Sequence, residues 1–131
     1  MSAPTATSLD DIKAAMAATN EVFNTEVFGK RNFAALKDVY TADSRILPPG
    51  APMASGREAI TQFWSDLIQA VDATAGVLVS IDVMAAGDGV VEIGKATLTT
   101  PGGQMDVKYV VYWKVEDGRW KWHVDIWNTN A

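Results

Sequence analysis

The fold is decided by residues 90–128, which read VVEIGKATLTTPGGQMDVKYVVYWKVEDGRWKWHVDIWN. Apolar and polar residues alternate along this stretch, and glycine-containing separators at Pro101-Gly102-Gly103 and Glu116-Asp117-Gly118 interrupt the alternation. A period of two residues predicts strands, and such short separators predict hairpins. A third separator, Gly87-Asp88-Gly89, adds one more strand before this stretch. The predicted strands are Val77–Met84, Val90–Thr100, Gln104–Val115 and Arg119–Asn128, and such tight connections make consecutive strands antiparallel neighbours.

The N-terminal half has the 3.6-residue period of amphipathic helices instead. Ser8 is suited to N-cap a first helix that ends near Gly29, and Asn32 is suited to cap a second, short one. A third helix begins at Ser55 or Gly56, and its wide apolar face consists of Ile60, Phe63, Trp64, Leu67, Ile68 and Val71.

Between the second and third helices, residues Arg45–Leu47 predict a short strand, and the three prolines of residues 48–52 predict a loop. Helices followed by a strand meander form an α+β layout. Because long strands twist, we expect a curved antiparallel sheet, mixed at its edge, that wraps around three N-terminal helices. Such a cone-shaped fold encloses an interior suited to a small ligand.

Composition limits the classes of function. The 131 residues suit one domain covering residues 1–131, with residues 1–7 expected to be flexible. The net charge is −5 and no Lys or Arg stripe is present, which disfavours a nucleic-acid or membrane partner. Cysteine is absent, so no thiolate metal site is available, and we expect no metal and no cofactor. Without a signal-peptide pattern, a cytoplasmic location is the expectation.

The positions of lysines indicate which face of the third meander strand points inward. Lys108 and Lys114 occupy even positions, and burying an ammonium group is costly, so the even face should be the outer one. Strand alternation then turns Tyr109, Val111, Trp113 and Val115 toward the interior.

Two further stretches resemble a known family. The first runs from Val39-Tyr40-Thr41-Ala42-Asp43-Ser44 through Pro48-Pro49-Gly50 to Gly56-Arg57-Glu58-Ala59-Ile60-Thr61-Gln62-Phe63-Trp64. The second is the ending Gly118-Arg119-Trp120-Lys121-Trp122-His123-Val124-Asp125-Ile126-Trp127-Asn128. With the order of elements, they resemble the SnoaL-like and ketosteroid isomerase-like branch of the nuclear transport factor 2-like superfamily. This fold hosts enzymes, binding modules and oligomerisation domains alike.

The last strand has two candidate inner faces. Hydropathy alone buries Trp120, Trp122, Val124 and Ile126, whereas the resemblance implies that His123, Asp125 and Trp127 face the pocket. We follow the resemblance, because an exposed apolar convex face is readily explained as a dimer interface. The predicted interface is therefore Trp120, Trp122, Val124 and Ile126.

His123 and Asp125 are the candidate catalytic residues. Two residues apart on one strand face, their Cα atoms would be roughly 6.5–7 Å apart, close enough to share a ligand. A carboxylate beside an imidazole raises the imidazole pKa, which suits acid–base chemistry. The alternative is that both side chains only satisfy backbone groups at the pocket rim. A metal site would need further carboxylates at ligand spacing, and no motif supplies them.

The predicted pocket wall is aromatic, with Trp64, Tyr109, Trp113 and Trp127 placed to hold a flat apolar ligand and Tyr40 able to offer a hydroxyl. Ordinary core packing is the competing interpretation for all of these rings. Asn24 and Val111 complete the predicted lining.

The resemblance does not extend to the chemistry of ketosteroid isomerase. That enzyme's carboxylate base corresponds here to Leu47 or Pro48, and its tyrosine and aspartate hydrogen-bond donors correspond to about Asn24 and Val111. Steroid isomerisation by that mechanism is therefore not expected.

Two functions remain open at this point. One is an isomerase, cyclase or hydratase that acts on a small apolar, oxygenated compound. The other is a ligand-binding or homo-oligomerisation module without turnover, most simply a homodimer formed through the sheet.

Overall fold

The computed structural model describes residues 8–130. The expectation that residues 1–7 are flexible lies outside this range. Among the described residues, no helix combines the length and the apolar character that crossing a membrane requires.

The helices begin and end largely where the sequence predicts. Helix α1 spans Leu9–Val22, and the Ser8 hydroxyl oxygen accepts a hydrogen bond from the Asp11 amide at 3.1 Å. The helix continues as a π-helical segment, Phe23–Gly29, which the sequence pattern did not predict. The second helix is a 3-10 helix, Phe33–Asp38, and α2 spans Arg57–Val71.

The sheet has six strands in the order β2-β1-β6-β5-β4-β3. The predicted four-strand meander is confirmed, with antiparallel pairing throughout β3 to β6. Strand β1 pairs with β6 in parallel, which makes the sheet mixed toward this edge. The strands are β1 Tyr40–Leu47, β2 Ala54–Ser55, β3 Ala75–Ala86, β4 Gly89–Thr100, β5 Gly103–Glu116 and β6 Arg119–Thr129.

Aromatic residues fill the space between the helices and the inner face of the sheet. Phe23 packs edge-on against both Phe28 and Trp64, with ring centroids 5.0 and 5.1 Å apart, and lies 4.7 Å from Trp122. Trp64 of α2 stacks on Trp127 of β6, with centroids 5.1 Å apart and ring planes 19° apart. The core is thus also the wall of any interior site.

A β-bulge in β6 decides which of its side chains face that core. Trp122 pairs with Trp113 and Val124 pairs with Tyr112, so His123 is an extra residue opposite β5. An extra residue shifts the alternation of faces by one position. Trp122 and Asp125 are both buried as a result, although they are three positions apart along the strand.

Candidate functional site

A small apolar cavity lies in the aromatic core between α2 and the inner face of the sheet. Its volume is about 50 Å³, which is room for only a few atoms. One ionisable carboxyl group, that of Asp125, lies in its wall. The other lining residues are apolar or aromatic and include Phe23, Trp64, Leu78, Tyr109, Val111 and Trp127.

Asp125 ends a chain of hydrogen bonds that crosses the core. The Tyr40 hydroxyl donates to Oδ2 of Asp125 at 2.6 Å, and Nε1 of Trp64 donates to Oη of Tyr40 at 3.0 Å. Asp125 is 4% exposed, and within residues 8–130 its Oδ1 receives no hydrogen bond. The carboxyl therefore has one fixed oxygen and one oxygen with unused acceptor capacity.

Burial changes the acidity of this group. Removal from water disfavours the charged carboxylate and, together with the negative charge of Glu92, raises the pKa of Asp125 to about 7, although the hydrogen bond from Tyr40 works in the opposite direction. Burial and the neighbouring Asp125 charge also raise the pKa of Tyr40 well above 10. The pKa of Asp125 thus lies near neutral pH, where Tyr40 stays protonated.

Sheet register explains why these residues meet. Asp125 pairs with Val111 of β5 on one side and with Ile46 of β1 on the other, so it sits in a central strand. Tyr40 begins β1 beside Trp122 and points to the same inner face. Of the residues predicted to line a pocket, Trp64, Tyr109, Val111 and Trp127 line the small cavity.

The structure does not bring His123 and Asp125 together. Nδ1 of His123 is hydrogen-bonded to Oγ1 of Thr41 at 2.8 Å and lies 3.7 Å from Oδ1 of Asp43. Its ring also contacts Tyr112, an outer-face residue of β5. The expectation that His123 shares a face with Asp125 is wrong, because the bulge at His123 places these two side chains on opposite faces of the sheet.

The same bulge divides the predicted convex face of β6. Trp122 is 2% exposed in the core, where its Nε1 donates to Oδ1 of Asn20, and Trp120 packs half-buried against the core. The expectation that these two tryptophans lie on the outer face is wrong. Val124 and Ile126, beyond the bulge, pair with the outer-face residues Tyr112 and Val110.

Two other predicted pocket residues lie outside the small cavity. Trp113 is fully buried behind it and donates from Nε1 to Oε1 of Glu92 at 3.0 Å. Asn24 lies in the π-helical segment and lines a second cavity, and its buried Oδ1 has no hydrogen-bond partner within residues 8–130.

Glu92 is a buried carboxylate that the sequence reasoning missed. It is 0% exposed, and the Tyr109 hydroxyl donates to its Oε2 at 3.0 Å. The rule applied to β5, that lysines mark the outer face of a strand, could have found it. Lys95 pairs with Lys108 on the outer face, and Glu92 is an odd number of residues away from Lys95 along β4, so Glu92 faces inward.

The second cavity is larger and more polar. It has a volume of about 380 Å³ and lies between α1 with its π-helical extension and strands β3 and β4. Leu78 lines both cavities, so they are neighbours. No group of three or more His, Cys, Asp or Glu side chains within residues 8–130 is arranged to hold a metal ion.

Comparison with known proteins identifies relatives by sequence pattern and by shape. Residues 7–123 match the model of the SnoaL-like domain. No curated protein matches the sequence significantly.

Several solved structures share the fold. An NTF2-like protein with a cystatin-like fold from Novosphingobium aromaticivorans superposes with a TM-score of 0.77 at 14% identity, covering 93% of this chain and 84% of that one. A ketosteroid isomerase-like protein from Erwinia carotovora atroseptica gives 0.73 at 16% identity, covering 94% and 96%. A hexachlorocyclohexane dehydrochlorinase from Novosphingobium barchaimii gives 0.69 at 16% identity, covering 91% and 86%. At these identities the likeness shows the fold alone, which is the cone-shaped α+β fold expected from the sequence.

Proposed function

Because the chain belongs to the SnoaL-like domain family, we propose that it binds a small apolar compound with an oxygenated end and exchanges a proton with it through Asp125. The reaction would be an isomerisation, cyclisation or hydration. The observation that carries the proposal is a buried carboxyl with a pKa of about 7 in the wall of an apolar cavity. A group whose pKa lies near the working pH serves best as both acid and base.

The neighbouring groups support this role for Asp125. Tyr40 fixes one carboxyl oxygen, and the orientation of a proton-transferring group is part of its efficiency. The aromatic walls exclude water, which keeps the carboxyl from being solvated. The proposal assigns the proton transfer to Asp125 instead of His123, because His123 bonds to Thr41 on the outer face.

The size of the cavity limits the ligand. A volume of about 50 Å³ accepts only the reactive end of a molecule, since whole-ligand pockets usually measure about 300–1,000 Å³. Leu78 lines both this cavity and the larger one. In this proposal, movement of Leu78 joins the two and admits a ring-sized ligand. Two structural neighbours are described as a dehydrochlorinase and as ketosteroid isomerase-like, and both descriptions are compatible with proton transfer on a cyclic compound.

Hydrogen–deuterium exchange tests the proposed proton transfer without a known substrate. Cyclohexanone is incubated with the protein in D₂O, and deuterium uptake at the carbon next to its carbonyl is followed by NMR. Uptake above the buffer rate is expected, with a loss of about 10²–10⁴-fold in Asp125→Asn and none in His123→Gln. Uptake that is absent, or that survives in Asp125→Asn, would contradict the proposed role of Asp125.

We also propose that the protein forms a homodimer through the outer face of the sheet. Ile93, Val110 and Ile126 pair across β4, β5 and β6, with exposures of 37%, 41% and 39%. A two-fold interface uses one patch on both subunits, and an apolar row at its centre is self-complementary. Of the interface predicted from the sequence, Val124 and Ile126 remain part of this proposal.

Sedimentation velocity at micromolar concentration tests the dimer, and a stable monomer would contradict it. If the protein dimerises and binds small molecules without proton exchange, the alternative of a non-catalytic binding module is favoured. Native mass spectrometry would then identify a co-purified ligand. The cytoplasmic location and the absence of nucleic-acid, membrane, metal and cofactor partners remain predictions from the sequence.

A further inference from the structure

The larger cavity contains polar and charged side chains that take no part in the proposed proton transfer. Its volume of about 380 Å³ falls in the range of small-molecule sites. The wall is partly apolar, with Met16, Leu78, Ile81 and Val83 from α1 and β3. The remaining wall is polar and carries more negative than positive charge.

Glu92 is the buried carboxyl group of this wall. Both of its oxygens accept hydrogen bonds, from the Tyr109 hydroxyl and from Nε1 of Trp113, and both of these donors are neutral. Within residues 8–130, no Lys, Arg or His nitrogen lies within 4.0 Å of it. Each carboxylate oxygen can accept a further hydrogen bond, and a cation beside a buried carboxylate offsets the cost of its burial.

The other polar groups of the cavity favour a ligand that donates hydrogen bonds. Glu21 and Asp82 add two carboxylates, and Lys13 is the one cation among the lining residues. The wall therefore has two more negative than positive side chains. Oδ1 of Asn24 is a buried acceptor without a partner among the described residues. A negative cavity with unused acceptors attracts cations that carry several N–H groups.

A metal ion fits this cavity poorly, because the described carboxylates do not gather into a group of three or more. We infer that the cavity binds a small organic cation, a primary amine with an apolar body, whose ammonium group lies between Glu92 and Asn24. The apolar body contacts Met16, Leu78 and Val83. This inference does not depend on proton transfer at Asp125.

Benzylamine and its neutral analogue benzyl alcohol are suitable probes, because they share the apolar body and differ in the cationic end. Isothermal titration at pH 7 and low salt should show binding of benzylamine at least about tenfold tighter than that of benzyl alcohol. Equal binding of the two compounds, or no binding of benzylamine, would overturn the inference.

Variants locate the bound amine. Glu92→Gln should weaken benzylamine binding at least about tenfold and leave benzyl alcohol unchanged, since it removes the charge but keeps the shape. If Glu92→Gln does not fold, Asn24→Leu provides the same test through the loss of its acceptor. Asp125→Asn is the matched control: a loss of benzylamine binding there, with none in Glu92→Gln, would place the amine in the small cavity and overturn the assignment.

Discussion

Asp125 and Glu92 are two carboxyl groups in one core with different surroundings. Asp125 accepts one hydrogen bond, from Tyr40, whereas Glu92 accepts two, one on each oxygen. Hydrogen bonds to a carboxylate favour its charged form, and burial opposes it. The charge of Glu92 adds to the burial of Asp125 and helps to raise the pKa of Asp125. The two carboxyl groups thus differ in their hydrogen-bond partners, and burial together with the charge of Glu92 sets the acidity of Asp125.

The raised pKa of Asp125 makes stability depend on pH. Its folded pKa of about 7 lies above the usual aspartate value near 3.8, so between these values the folded state binds the proton that the unfolded state has lost. Stability from this group is present at low pH and is lost as pH rises through about 7, a change on the order of 4 kcal/mol. Urea unfolding between pH 4 and 8 should show this fall relative to Asp125→Asn, which lacks the titrating group. Parallel pH profiles of the two proteins would contradict the assignment.

Tyr40 should act on Asp125 through a single hydrogen bond. Tyr40→Phe removes the donor that favours the charged carboxylate, so the pKa of Asp125 should rise further. It also leaves the Trp64 N–H without its acceptor, and such a loss destabilises a protein by about 1–3 kcal/mol. Carboxyl ¹³C NMR titration measures the first effect, and urea unfolding measures the second. An unchanged Asp125 pKa would show that the hydrogen bond is not maintained in solution.

At the scale of elements, β4 and β5 pack closely at Gly94, which has no side chain. Gly94 pairs with Tyr109, and a Cβ at Gly94 would lie 2.3 Å from the Tyr109 ring, closer than atoms can approach. The tyrosine ring therefore covers its cross-strand neighbour and reaches Glu92. Glycine at this position makes room for both the ring and its hydrogen bond.

Gly94→Ala should displace the Tyr109 ring and cost about 1–3 kcal/mol of unfolding free energy, in the range of other overpacked cores. Gly102→Ala is a matched control in the β4–β5 turn, where a Cβ would have no neighbour nearer than 3.9 Å. Urea unfolding of the two variants gives the comparison, and near-UV circular dichroism reports the aromatic displacement. Equal stability of the two variants would show that the ring adjusts without cost.

The elements also show where sequence reasoning reaches its limit. The meander, the cap at Ser8 and the inward positions of Tyr109, Val111 and Trp113 in β5 follow from alternation and turn residues, which are local properties. Val115, which was also predicted to face inward, is 53% exposed beside the β5–β6 turn. The bulge at His123 leaves no local signal, because Trp122 and Trp127 suit a core equally well on either side of it. Hydropathy correctly buries Trp122, and the resemblance correctly turns Asp125 inward, but either rule applied to the whole strand fails.

The π-helical segment was not predicted for a similar reason. Phe23, Val27 and Phe28 are all buried, a spacing that a regular helix also accommodates, so the pattern predicted an ordinary helix to Gly29. Wider turns of this kind are often found at functional sites. Here the segment contains Asn24, whose buried acceptor supports the proposed amine site.

For the whole molecule, the fold was predictable because a helical period dominates as far as Val71, apart from strands β1 and β2, and a strand period follows from Ala75 onward. The candidate site was predictable only in part, because the partner of Asp125 depends on pairing between strands far apart in sequence, whereas alternation along β4 could have identified Glu92. Asp125 and Tyr40 are 85 positions apart, and the parallel pairing of β1 with β6 joins them. Such pairings follow from global topology and not from local pattern.

The proposed homodimer interface on the outer face of the sheet can be tested by substitution. Val110→Lys places a charge at the centre of the apolar row, where a two-fold interface would bring it next to its own copy, and should weaken dimerisation by about tenfold or more. Val115→Lys is the control, because Val115 is also exposed, at 53% against 41% for Val110, but lies near the β5–β6 turn and outside the apolar row. Sedimentation velocity measures both variants. Equal dissociation constants would exclude this face as the interface.

The extra residue at His123 makes β6 sensitive to a class of change that substitution scans do not sample. Removing His123 would restore strict alternation and leave Trp122 and Asp125 two positions apart, so both could still face the core. An insertion or deletion elsewhere in β6 changes the parity of the strand beyond it and exchanges its two faces there, whereas point mutations keep them. Which side chains of β6 face the core therefore depends on the number of residues in the strand as well as on their types. A library of single-residue deletions along this strand would reveal that dependence directly.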